Sequence, residues 1–382
     1  MGTAKLSHIE SRSGNDITVD KGFVITGGVT ATGDLYSPSI TAHNYIINGD
    51  MAIAQWGTSF AGAASGTFTV NRFSYYQSGD MVHTLSQDTD VPANSIFKYS
   101  YKADVTTADS SIAAGDYCFI MYKVEGYDFS KLVGKTATLS FWVKGAKTGV
   151  HCVAFRNSVS DRSYVAEYTI NAANTWEFKT ITITFNYSGG TWNYINGIGI
   201  AITFAMACGS TYQTTKDSWQ TGNYLATANQ VNETDSTDNN FYITGVMLNE
   251  GSVAMPFRLC GGDYAGELVR CQRYCEKITT ETSDSYTIAH GTAQSTTVFR
   301  AFYPMKVSKR IIPAAISIIG TFSIYDGSGI IAGVTITLSS GGSTKEMLAL
   351  TGTVSSGLTQ SRSGWIYSAA DATSYIIVDV EL

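Results

Sequence analysis

The sequence predicts an all-β protein, and three observations carry that prediction. Only 15% of the 382 residues are charged, while Gly (37), Tyr (23) and Phe (17) are abundant. Aromatic and β-branched side chains suit a pleated, half-buried surface, and glycine suits the turns between strands. Several stretches alternate apolar with small polar residues at a period of two, the spacing of a strand with one buried face. A helical period is clear in one short segment only. The hydrophobic fraction of 44%, with 12% aromatics, supplies ample core and excludes wholesale disorder; the length suits two or three domains.

Taken in order, residues 1–43 form an N-terminal segment with the cleanest alternation. Its odd positions run Ile17, Val19, Lys21, Phe23, Ile25, Gly27, Val29, Ala31, Gly33 and Leu35, with Thr, Asp and Gly dominating between them. So few apolar side chains cannot close a core alone, and an isolated ribbon leaves its edges unpaired. Wrapping identical copies around a shared axis is the simplest remedy, giving an intertwined β ribbon; an arm packed on its own chain is the alternative. Residues 44–262 then read as a β-sandwich of jelly-roll type. Ala137, Leu139, Phe141 and Val143 alternate with Thr and Ser, as do Ile181, Ile183 and Phe185, and Ile198, Ile200, Ile202 and Phe204 with Gly, Ala and Thr. Residues 206–240 are loop-like, and a loop this long suggests a function or a contact surface. Residues 263–278 predict one connecting helix: Leu268, Cys271, Cys275 and Ile278 share a face, and Asp263 is placed to cap it. Residues 279–382 predict a second, smaller β domain, and Ile376, Val378, Val380 and Leu382 still alternate, so the chain should end inside a sheet.

Net charge −6 without any basic run argues against a nucleic-acid partner. The first 25 residues hold no apolar stretch of signal-peptide length, and no stretch nears the roughly 18 apolar residues of a membrane span. The expectation is a soluble protein, not exported by the usual route and not inserted in membranes. Cysteines 118, 152, 208, 260, 271 and 275 form no C-x-x-C pair and read as reduced and buried, with no metal and no cofactor expected. The acidic loop 232–240 has oxygen ligands but lacks the glycine and closing glutamate of a calcium loop, so a solvated loop is favoured. Asp161-Arg162 reads as a surface turn pair. No nucleophile elbow, zinc-protease motif, P-loop or dinucleotide fingerprint is present, and no catalytic residue is assigned: the chain reads as a binding or structural protein, not an enzyme.

Several segments in order resemble the tail fibre and receptor-binding proteins of tailed bacteriophages. Asn44 to Gly57 (NYIINGDMAIAQWG) is similar to the opening of a carbohydrate-binding-module-like sandwich in such fibres, with Trp56 where the family usually has Arg. Gly134-Lys135 and Thr138 to Lys144 are similar to its central strand, and Phe241 to Gly251 with Pro256-Phe257 to its closing strand. That last segment carries Met247 and Leu248-Asn249 where Gln and Leu-Glu are commoner. Cys271 to Tyr274 is similar to the following helix, and Phe302 to Lys306 with Pro313 to the start of a terminal β domain. The resemblance spans about 44–315. It implies a homotrimeric fibre of the virion, assembled in the host cytoplasm. Its N-terminus would dock on other tail proteins, and its C-terminal tip domain would face a host cell-surface glycan or outer-membrane component. On that reading Phe23, Ile25, Val29 and Leu35, with the helix face of Leu268, Cys271 and Cys275, are candidate trimer-interface residues.

Sugar recognition needs aromatic faces beside fixed polar groups. Candidates in loops are Trp192 and Tyr194 after a Ser-Gly-Gly turn, Tyr212 and Trp219 in the long loop, and Trp365 with Tyr367 near the end; each could equally be core or subunit interface. Trp365 and Tyr367 rank first, since they follow a Ser, Gly and Thr-rich loop in the domain expected to be distal. The alternatives to a receptor-binding fibre are a purely structural tail appendage or adaptor and, more remotely, a polysaccharide-degrading spike.

Overall fold

The computed structural model describes residues 43–186, 188–279, 286–368 and 373–382. The expected ribbon, with Phe23, Ile25, Val29 and Leu35, lies outside the described residues. Residues 41–382 constitute one compact unit.

Its first part is a sandwich of twelve strands: β1 (Ser59–Phe60), β2 (Phe73–Ser78), β3 (Val82–Asp88), β4 (Ser100–Thr107), β5 (Tyr117–Glu125), β6 (Thr136–Gly145), β7 (Gly149–Arg156), β8 (Arg162–Ile170), β9 (Glu177–Thr184), β10 (Ile198–Cys208), β11 (Trp219–Thr221) and β12 (Asn240–Glu250). They form two antiparallel six-stranded sheets, ordered β1-β3-β4-β12-β6-β9 and β11-β8-β7-β10-β5-β2. The predicted alternation sets the core: Leu139, Phe141 and Val143 of one sheet meet Ile202 and Phe204 of the other, while Thr138 and Thr136 face outward and bond to Thr182 and Thr184 across β9. Burying each such Leu, Ile or Phe contributes roughly 2–3 kcal/mol, so this face fixes the register.

The opening motif closes one end of the sandwich. Asn44 and Asn48 are buried and replace missing backbone partners: Asn44 Oδ1 accepts from Ile46 N and Leu248 N, and Asn48 Oδ1 accepts from Ile53 N while its amide donates to Ile53 O and Asn71 O. Gly49 lies so close to β12 that a Cβ would sit 2.0 Å from the Val246 carbonyl oxygen. On β12 itself the register slips between Thr244 and Met247, where Gly245 has φ +60 and packs on Phe97.

A one-turn helix α1 (Gly126–Phe129) follows β5, and the second helix, α2, covers Tyr264–Gln272 with Asp263 Oδ1 accepting from Gly266 N as its cap. The single helix expected over 263–278 therefore becomes two elements, because Cys275–Thr279 is strand β13. There Cys275 to Thr279 pair with the final strand, and that tertiary pairing with β-branched Ile278 and Thr279 overrides the helical spacing. The remaining strands are β14 (Thr287–Ala293), β15 (Val298–Pro304), β16 (Ala315–Ile319), β17 (Phe322–Tyr325), β18 (Ile330–Ile331), β19 (Thr335–Leu338), β20 (Met347–Thr353), β21 (Ser363–Ser368) and β22 (Tyr375–Asp379). They make a seven-stranded sheet, β18-β17-β21-β14-β15-β20-β19, and a three-stranded sheet, β13-β22-β16. The last strand, β22, is the central strand of the three-stranded sheet, as the alternation of Ile376 and Val378 predicts, but Val380 and Leu382 lie beyond its end; these sheets share a core of their own around Phe299, Leu348, Leu350, Ile366 and Val378.

Charged groups join this part to the sandwich. Arg72, beside β2, pairs with Glu381, donates to Lys123 O at 2.6 Å, and lies 3.6 Å from the centre of the Tyr274 ring. Arg273 holds Glu125 through two nitrogens, at 2.7 and 3.0 Å, and Tyr274 Oη donates to the same carboxylate. Arg310 donates to the carbonyls of Asn196, Val380 and Glu381. Cys271, Cys275 and half-buried Leu268 sit on the chain's own side of this joint: Cys271 packs with Ile47, Ile53, Cys260 and Tyr274, and Cys275 is fully buried beside them on β13. All six cysteines are buried and unpaired, and burial pushes Cys118, Cys208 and Cys260 up to about 12.

Candidate functional site

The second sheet is covered on both faces. Strand β10 should expose Ala201 and Thr203 if only one face were buried, yet both are buried along with Ala205. The cover is the long loop after β10. A 3-10 turn at Ser210–Tyr212 turns the chain back, Leu225 N bonds to Tyr212 O, Val231 N bonds to Val150 O, and Leu225 and Ala226 bury against Phe119, Cys152, Ala154 and Val165.

Where the loop stops short, a cleft of about 270 Å³ opens over β2, β5, β7 and β10. Four rings line it in a row. Tyr76 stacks on Phe119 with centroids 5.5 Å apart, Tyr117 packs on Phe119 at 5.3 Å, and Tyr212 meets Tyr117 edge-on at 5.2 Å. Phe119 is buried, whereas the three tyrosines remain half-exposed. Their placement follows from the strand period: Tyr117, Phe119, Met121 and Lys123 point away from the core into which Cys118, Ile120, Tyr122 and Val124 point.

The polar part of the cleft is Arg156, Lys123, Asn157, Ser158, Ser160 and Asn223. Arg156 ends β7 and is only 7% exposed. One Nη donates to Asn223 Oδ1 at 2.7 Å, the other points at Met121 Sδ at 3.4 Å, and Nε has no partner. Its Cζ lies 5.3 Å from the Phe119 ring centre. Lys123 Nζ donates to Tyr76 Oη and to the Leu382 carbonyl. The residues lining the cleft include no Asp or Glu. Flat rings for sugar C–H faces, flanked by fixed donors and amides, suit saccharide binding; the lining offers no carboxylate for bond cleavage.

Of the aromatic residues expected to bind sugar, Tyr212 alone lines this cleft. Trp219 borders a shallower groove with Tyr164, Ile183 and Asn186, and its Nε1 donates to Thr184 O at 3.0 Å. Trp192 stacks on Phe129 at 5.4 Å, meets Trp219 at 5.7 Å, and donates to Gly189 O. Exposed Tyr194 lies on the same Phe129 ring at 6.3 Å. Trp365 is half-buried on β21, stacked on Tyr325 at 4.6 Å, while Tyr367, two residues on, is buried. Tyr76, Tyr117, Phe119 and Arg156 were absent from the expected set. The signal for them lay in β5, where large residues occupy both faces, and in a lone arginine closing the apolar run Cys152 to Phe155.

A larger cleft, about 760 Å³, lies between Asn44, Asp50 and Phe257–Gly262. Of its phenylalanines, Phe97 is buried and packs edge-on to half-buried Phe257 at 5.0 Å. The acidic loop is tied to the β6–β7 turn, where Lys147 pairs with Asp235 at 2.6 Å, and to itself, where Asn239 donates to the same side chain. Asp161 accepts from Asn157 and Thr191, which holds its carboxyl below the usual range. Among the described residues no group of three potential metal ligands converges, and no helix is long and apolar enough to cross a membrane.

No protein-family model matches the chain, and no curated protein matches it. Among solved structures, the enzymatically active domain of tailspike protein 4 from bacteriophage CBA120 is 18% identical with a TM-score of 0.31, over 56% of this chain and 22% of that one. The chain thus spans about a fifth of that structure's length. A putative sugar binding protein from Bacteroides thetaiotaomicron is 10% identical with a TM-score of 0.33, over 54% of this chain and 99% of that one. A family 11 carbohydrate-binding module of a cellulosomal cellulase from Clostridium thermocellum is 12% identical with a TM-score of 0.28, over 51% and 98%. All three likenesses are distant and partial.

Proposed function

We propose that this chain is a glycan-binding protein that uses the Tyr76–Phe119–Tyr117–Tyr212 cleft, and that it serves as a homotrimeric tail fibre of a bacteriophage virion, attaching to a host cell-surface glycan. The observation that carries the binding reading is the cleft itself: three half-exposed rings beside a buried guanidinium with unused donors. The fibre reading is supported by the order of the tail-fibre-like segments across 44–315 and by an N-terminal sequence that alternates at a period of two with too few apolar residues to close a core alone. No catalytic role is assigned.

The test is adsorption of the purified full chain to cells of a candidate host panel, beside Tyr117→Ala, with native mass spectrometry of both. The reading expects a trimer, adsorption by the wild type, and roughly 5- to 30-fold weaker adsorption by the variant, because one sugar-stacking ring contributes on the order of 1–2 kcal/mol. Equal adsorption by the two removes the cleft from recognition. A single-copy particle at every concentration removes the trimer, and a trimer that adsorbs to nothing leaves a structural adaptor.

A further inference from the structure

Three arginines at the joint between the sandwich and the C-terminal sheets are each compensated. Arg72 has Glu381, Arg273 has Glu125, and Arg310 has three backbone carbonyls. Arg156 is as buried as these, yet it has one amide oxygen, one thioether sulfur and an Nε with nothing. No carboxylate pairs with it, and burial pushes its pKa down to about 10, so it stays protonated at neutral pH. A cation withdrawn from water without a counter-charge is a costly arrangement, and the chain places this one on the wall of an open cleft. The second charge on that wall, Lys123, is also positive.

We infer that the cleft takes a sugar bearing a carboxylate, a uronic or nonulosonic acid unit, with Arg156 as the residue that receives the carboxylate. This rests on the glycan-binding reading above and narrows it. A planar guanidinium with free N–H groups matches a carboxylate through two parallel hydrogen bonds, and the low dielectric around it strengthens them. The rings of Tyr117 and Tyr212 lie beside it for the pyranose face, and Asn223, Ser158 and Ser160 are in reach of hydroxyls on the same wall. The volume, about 270 Å³, lies at the small end of ligand sites and suits one saccharide unit or a chain end.

The test is binding of the full chain to an array of paired saccharides: oligogalacturonate and oligosialate, their carboxyl-reduced neutral forms, and sulfated galactan fragments that carry no carboxylate. Arg156→Met is run beside the wild type with thermal melting of both. The inference expects a carboxylated member bound about 10- to 100-fold more tightly than its reduced form. Arg156→Met should lose that preference while melting no lower than wild type, since an uncompensated charge gives way to a thioether of similar length. Equal affinity for the acidic and reduced forms overturns the inference and leaves glycan binding standing. So does a preference that survives in Arg156→Met, or sulfated fragments held as tightly as carboxylated ones. Failure to hold any saccharide sinks the glycan reading and this inference together.

Discussion

Replacing Glu381 by alanine should cost about 3 kcal/mol of stability and should do so for the sandwich and the C-terminal sheets together. Both partners are desolvated: the Arg72 and Glu381 side chains are 1% and 3% exposed. Glu381 accepts from the Arg72 guanidinium and from its backbone N–H. Truncating one member of a buried pair leaves the other uncompensated, typically about 3–5 kcal/mol. The lower end applies because Arg72 keeps the Lys123 carbonyl at 2.6 Å and the face of Tyr274. Urea unfolding provides the assay. Five of the six tryptophans lie in the sandwich and only Trp365 lies in the C-terminal sheets, so in a Trp365→Phe background fluorescence reports the sandwich alone while circular dichroism reports both. Coincident transitions, shifted together by Glu381→Ala, are expected, and Arg72→Met with Glu381→Leu should recover most of the loss. A change under about 1 kcal/mol, or a sandwich transition indifferent to Glu381, would refute the reasoning that this pair joins the two cores.

Three further outcomes follow. His83 is 1% exposed, bonds to Tyr75 Oη at 2.7 Å, and burial pushes its pKa down to about 4 from 6.5. The unfolded chain therefore takes up a proton that the fold refuses. Stability complete above pH 6.5 should fall by about 1.4 kcal/mol per unit as pH drops toward 4, about 3 kcal/mol in all. His83→Gln should flatten that slope, and parallel curves for the two proteins would contradict the assignment. Gly49→Ala should cost at least about 3 kcal/mol, because its Cβ collides with the Val246 carbonyl and not with a movable side chain; a melting temperature equal to wild type would show that β12 yields. Trp365→Ala should leave saccharide binding unchanged while Tyr117→Ala loses it, and the reverse pattern would move recognition to the Trp365–Tyr325 pair.

Much of the architecture was legible because a period of two is a local signal. Strands β6, β9 and β10 lie where Leu139 to Val143, Ile181 to Phe185 and Ile198 to Phe204 placed them, and β22 closes the chain as Ile376 and Val378 required. The helix boundary was not legible, since the partner that makes Cys275–Thr279 a strand is a hundred residues away on β22. The cleft was half-legible. Tyr212 stood out in a loop, but Tyr117 and Arg156 stand in strands whose outer face reads as solvent until the 209–231 loop folds over it. Trp192 and Trp219 lie at the sandwich edge, where their indole N–H groups donate to the Gly189 and Thr184 carbonyls, partners that lie in no local sequence pattern.

The most direct measurement is a crystal structure of the full chain soaked with oligogalacturonate or oligosialate. A saccharide ring over Tyr117 and Tyr212, with its carboxylate on the Arg156 guanidinium, is the expected result. A saccharide seated elsewhere with the Tyr117 cleft left to solvent would contradict it.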